Sequence, residues 1–129
     1  MKTTDLMAGD WVKTPDGNGI IRLINAIDER FVVCVKGMDC WFLPDVVEPI
    51  PLTGEILEKN KFKNYRLSYD DGDYYYHIKL ENVVGGIWAE VVSSRNVLHG
   101  RKEFSGLINY VHELQHALRL FGIKKNIEL

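Results

Sequence analysis

Along residues 31–36 the chain reads Phe-Val-Val-Cys-Val-Lys, and Phe31, Val33 and Val35 alternate with Val32, Cys34 and Lys36. A period of two predicts a strand with one buried face. Similar short runs flank it: "GDWVKT" and "IIRLINAI" before, "CWFL" after. Turn chemistry separates them. Pro15, Gly17, Asn18 and Gly19 crowd into "PDGNG", a polar break stands at Asp28-Glu29-Arg30, and Gly37-Met38-Asp39 turns the chain again. About four or five strands so close together cannot form a flat sheet with two wet faces. Curling would bury Trp11, Ile21, Leu23, Val33 and Trp41 together, so the pattern predicts an SH3-like small β-barrel over residues 1–50.

Residues 51–129 read differently. Pro49 and Pro51 hold the chain extended and end sheet pairing. Thr53 is a suitable N-cap, Glu55 suits the first turn, and Leu52 and Leu57 have the spacing of a hydrophobic staple. A short helix over residues 54–60 follows from these signals. "YRLSY", a turn at Asp70-Asp71-Gly72, "YYYHIKLE", a break at Gly85-Gly86 and "IWAEVVSS" predict a three-stranded antiparallel meander. "VLHGRKEF" is a further short strand. Then Leu107, Val111, Leu114, Leu118 and Phe121 fall on one stripe at about 100° per residue. That stripe predicts a long helix over 106–121, capped by Ser105 and ended by Gly122. The expected class is α+β: an SH3-like barrel lobe, residues 1–50, followed by a lobe of residues 51–129 whose antiparallel meander packs on a long C-terminal helix.

Composition narrows the function classes. The chain has 129 residues, 46% of them hydrophobic and 26% charged, which is material for one domain or two small lobes with a real core. Sixteen basic against 18 acidic residues leave a formal charge of −2, so no global field draws the chain to nucleic acid or to an anionic membrane. No apolar run approaches the roughly 20 residues that span a bilayer, and "MKTTDLMAGDWVK" lacks the apolar stretch of a secretory signal. Two cysteines are too few for a disulfide scaffold, and Cys34 is expected as a small buried thiol in a strand. A cytoplasmic protein without membrane partners is the expectation.

The most specific-looking motif is His112-Glu113-Leu114-Gln115-His116, which matches the H-E-x-x-H zinc signature of metalloproteases. On the wheel His112 lies to one side of the apolar stripe and His116 nearly opposite it, so both imidazoles are expected in solvent. A catalytic zinc needs a third protein ligand and an open position. Arg119 and Gly122 occupy the places where the long form of the motif has its glycine and third histidine, and Glu128 is the only downstream acid. His77 and His99 lie upstream in strand-like segments. The motif therefore reads as an accident on an amphipathic helix, with no catalytic residues, no metal and no cofactor; His112 and His116 would be the ligands if a metal were held.

Two other constellations compete. "YDDGDYYYH" is acidic but lacks the terminal glutamate and length of an EF-hand loop, and reads as a hairpin turn. Tyr65, Tyr69, Tyr74, Tyr75, Tyr76 and Trp88, near Lys61, Lys63, Arg66 and Lys79, could stack single-stranded nucleic acid. Alternation assigns Tyr74, Tyr76, Ile78 and Leu80 to the core and leaves Tyr75, His77 and Lys79 as a candidate exposed binding patch. Asp70, Asp71 and Asp73 oppose a phosphate chain there. No nucleophile elbow or phosphate-cradling glycine loop occurs in the sequence.

"AGDWVKTPDG", "VEPIPLTGEILEKNKF" and "YVHELQHALRLFG" together resemble a group of uncharacterised small proteins of gut Bacteroidetes genomes and their phages and mobile elements. The resemblance spans almost the whole chain. In that group the position of His116 is commonly another polar residue, and glycine tends to stand where this chain has Lys61, before Phe62. The resemblance implies a mobile-element setting and brings no activity. The expected function is a non-enzymatic protein-interaction or modulator protein whose partner is another protein. A single-stranded nucleic-acid-binding module using the tyrosine-rich sheet is the alternative, and a zinc-dependent hydrolase the weaker one.

Overall fold

Strand periodicity, not helix periodicity, governs most of the chain. The computed structural model describes residues 1–63, 65–70, 75–94 and 100–129, with the backbone alone for 69, 70, 94 and 100–104. Strands β1 (Trp11–Thr14), β2 (Gly17–Asn25), β3 (Arg30–Val35) and β4 (Met38–Phe42) form one antiparallel sheet in the order β1-β2-β3-β4. Helix α1 (Gly54–Lys59) follows. Strands β5 (Arg66–Asp70), β6 (Tyr75–Val83), β7 (Gly86–Ser94) and β8 (Gly100–Ile108) form a second antiparallel sheet in sequence order, and helix α2 (Val111–Leu120) follows. The contacts divide into two units, Met1–Pro51 with Tyr110–His112, and Leu52–Asn109 with Glu113–Leu129.

The first unit corrects the barrel expectation. Among the described residues β4 and β1 do not pair, and the sheet is open. The place beside β1 is filled by Glu48, which exchanges two backbone hydrogen bonds with Lys13 (2.8 and 2.9 Å). A 3-10 turn, Pro44–Val46, leads the chain out of β4 before it can close a ring. Inside, the alternation of β3 holds: Phe31, Val33 and Val35 are buried with Val12, Ile21 and Val47.

Trp11, Ile21, Leu23, Val33 and Trp41 are not buried together. A bulge between Ile21 and Leu23 inserts one residue into β2, so Ile21 pairs with Val33 whereas Leu23 pairs with Val32. One extra residue reverses the side to which all later side chains point. Ile21 and Val33 face the core, while Leu23 and Trp41 remain 53% and 56% exposed. Cys34, on the same outward register as Val32, is half-buried, not enclosed. Gly19 has a local reason: a Cβ there would stand 2.5 Å from the Cys34 carbonyl oxygen.

In the second unit, α1 forms as its signals predict. Thr53 Oγ1 accepts a hydrogen bond from the Ile56 N–H, and Leu52 and Leu57 are both buried. The helix closes with the Phe62 N–H on the Leu57 carbonyl and the Lys61 N–H on the Glu58 carbonyl, the two bonds of a Schellman motif. Helix α2 ends the same way, with Ile123 N–H on Leu118 and Gly122 N–H on Arg119. The positive-φ residue is Gly122 in one case (φ 69°) and Lys61 in the other (φ 68°). Asn60 then holds the chain near its end, its amide bonding both the N–H and the carbonyl of Glu128 at 2.7 Å.

The long helix over 106–121 is also corrected. Ser105, Leu107 and Ile108 belong to β8, paired with Glu90, Trp88 and Ile87 of β7, and α2 has only ten residues. A spacing of four, as from Leu107 to Val111, satisfies a helix and a strand equally, so the wheel could not separate them. Eight ladder pairs with β7 outweigh little more than one helical turn containing Gly106. The observed architecture is thus mostly β, two four-stranded antiparallel sheets with short helices. The expected turn at Asp71-Gly72, the core position Tyr74, and Asp73 and His99 lie outside the described residues.

Candidate binding surface

Strand β6 sorts its side chains cleanly. Tyr76, Ile78 and Leu80 are buried, and Tyr75, His77, Lys79 and Glu81 are exposed. On the buried side Tyr76 lies 6.5 Å, centroid to centroid, from Phe121. The three residues expected as a patch therefore share one solvent face.

Register adds their neighbours. Lys79 stands between Arg66 of β5 and Glu90 of β7, and His77 between Ser68 and Val92; Glu81 pairs with Trp88. Two cations are thus directly opposite each other at Arg66 and Lys79, an arrangement that raises the local affinity for a carboxylate or other anionic group. Glu81 and Glu90 alternate with them, so the face carries both signs. Trp88 is half-buried, and its indole N–H donates to Glu90 Oε1 (3.2 Å). That bond orients the ring and holds the glutamate beside it. Arg66, Lys79, Leu80, Glu81, Trp88 and Glu90 surround an open depression of ≈ 290 Å³, near the lower limit of small-molecule sites and suited to a protruding side chain.

Ser68 Oγ and His77 Nδ1 are 3.3 Å apart across the β5–β6 ladder. The contact is exposed and long for a hydroxyl bond. Sequence reasoning grouped Arg66 and Trp88 with Tyr75 and Lys79 as a stacking platform without placing them beside His77, and it missed Ser68 and Glu90. The alternation within each strand was readable, but the registers between strands were not.

The histidines of the H-E-x-x-H motif are not both in solvent. His112 is 7% exposed and stacks its ring on Tyr110 (5.9 Å, 9° between planes), and His116 is half-buried. The reason is the width of the buried arc. Buried Val111, His112, Leu114, Gln115, Ala117 and Leu118 cover roughly 220° of the wheel at 100° per residue. The expected stripe was narrower and placed the histidines outside it. Glu113 of the same motif reaches back to accept the Asn109 N–H at 3.0 Å, supporting the first turn. Among the described residues no cluster of three or more His, Cys, Asp or Glu side chains is assembled as a metal site. Among them, too, no helix is long and apolar enough to cross a membrane.

Comparison with protein-family models, with curated proteins and with solved structures returns no match for this chain.

Proposed function

We propose that the chain is a non-enzymatic protein-interaction module that holds another polypeptide against the outer face of its second sheet. The observation that carries this reading is the composition of that face. Tyr75 is 43% exposed, Trp88 is fixed by Glu90, and Arg66 and Lys79 alternate with Glu81 and Glu90. Tyrosine and tryptophan on a rigid strand give contact area at low entropic cost. Charges of both signs around them match the mixed rim of a protein surface. A phosphate chain would need positive charge at every step, and the glutamates interrupt it.

Site-specific photo-crosslinking tests the proposal. A crosslinker at position 77 is expected to trap one protein band in lysate, while the same group at exposed Glu55 of α1 traps none. The band should vanish in the Tyr75→Ala, Lys79→Glu double variant. Submicromolar binding of single-stranded DNA or RNA that weakens on Tyr75→Ala would replace this reading with nucleic-acid recognition.

A further inference from the structure

The first sheet has a second apolar face. Leu23 of β2, Val32 of β3 and Trp41 of β4 are direct cross-strand neighbours, and they form one row on the side away from the core. Ile20 and Cys34 pair in the adjacent row, with Trp11 opposite Ile20. An antiparallel sheet with one packed face ordinarily turns polar residues to water on the other. Here Trp41 is 56% exposed, Leu23 53% and Leu43, two residues beyond Trp41, 56%. These three side chains leave roughly 350 Å² of apolar surface in water, within the roughly 300–600 Å² of the largest patch on a typical monomer, which is often functional.

We infer that this face pairs with the same face of a second copy of the chain, forming a two-fold symmetric dimer. Shape is the first argument. The surface is an open sheet face, and two such faces pack on each other about 10 Å apart as the halves of a β-sandwich. Charge is the second. Arg22, the bulge residue, and Asp39, which stands opposite Cys34 in the second row, form an exposed ion pair within each copy, their ionic groups 3.9 Å apart and side chains 58% and 61% exposed. A face carrying one cation and one anion is complementary to itself: across a two-fold axis Arg22 of each copy meets Asp39 of the other. The whole chain, at −2, adds little repulsion to such an association. An apolar centre of this size with a polar rim falls below the roughly 800 Å² per partner of a standard stable interface, the size class of weak and transient contacts, so the dimer is expected to dissociate on dilution. This surface is separate from the one proposed above, so either can fail alone.

Sedimentation equilibrium of the full chain from about 5 to 500 µM reads the outcome, since micromolar dissociation constants fall inside that window. The average mass is expected to rise from that of one chain toward that of two. Trp41→Glu and Leu23→Ser, both outside the core, should each weaken association at least about tenfold while far-UV circular dichroism stays unchanged. Arg22→Asp should also weaken it, and the charge swap Arg22→Asp with Asp39→Arg should restore it. A one-chain mass at every concentration overturns the inference, and so does association that neither Trp41→Glu nor Leu23→Ser diminishes.

Discussion

Replacing Lys61 by glycine is expected to stabilise the protein. Two helices of this chain end in the same hydrogen-bonded motif, and in both the residue after the helix cap has φ near +68°. Gly122 fills that position after α2; Lys61 fills it after α1. A residue with a Cβ gives up about 1–2 kcal/mol in the left-handed region. Glycine enters freely but loses about 0.5–1 kcal/mol more in chain entropy on folding. The balance makes Lys61→Gly stabilising by about 0.5–1 kcal/mol. Nothing else is lost, because the Lys61 side chain is exposed and the contact that locks the motif is made by its neighbours, Leu57 and Phe62, each 1% exposed. The converse holds at Gly122, where a Cβ would meet nothing within 4 Å, so Gly122→Ala exposes the conformational term alone. It should destabilise by about 0.5–1 kcal/mol. Urea unfolding of the wild type, Lys61→Gly, Lys61→Ala and Gly122→Ala measures all of this, with unchanged m-values confirming that the surface exposed on unfolding is the same. The melting temperature of Lys61→Gly should rise by about 2–4 °C. A neutral or destabilising Lys61→Gly refutes the reasoning. A Lys61→Ala variant that gains as much as Lys61→Gly refutes it differently, by showing that the lysine side chain and not the backbone angle carried the penalty.

Gly19→Ala should cost about 2–3 kcal/mol, since its methyl carbon would meet the Cys34 carbonyl oxygen at 2.5 Å and Val33 Cγ1 at 2.7 Å within a paired strand; a denaturant midpoint unchanged from wild type would contradict that packing. In α2, Leu118→Ala, at a position 1% exposed, should lose about 2–5 kcal/mol. His116→Ala, at a half-buried position, should lose less than Leu118→Ala. His112→Asp should lose clearly more than His116→Asp in the same assay, because it places a carboxylate at a site 7% exposed. Equal losses at the two histidines would mean that the helix is rotated from the observed orientation.

The strands of the first sheet, the position of α1 and the face assignment of Tyr75, His77 and Lys79 were legible from the residues themselves. Each depends on local information: alternation, a threonine cap, turn residues between short runs. The terminal helix was legible only from Val111 onward. Leu107 satisfied two periods at once, and only pairing with Trp88 across the β7–β8 ladder assigned it to a strand. A barrel was inferred from the need to bury five large side chains, but the bulge after Ile21 sends Leu23 to the opposite face from Ile21, and the β3–β4 register sets Trp41 beside outward Val32. Which residues stand beside Lys79, and that His112 is buried while carrying half of a zinc signature, depends on contacts between segments far apart in the chain. Local sequence determines what each segment prefers. The register between strands, set by one inserted residue and by the total buried surface, decides which side chains meet and which are left to water.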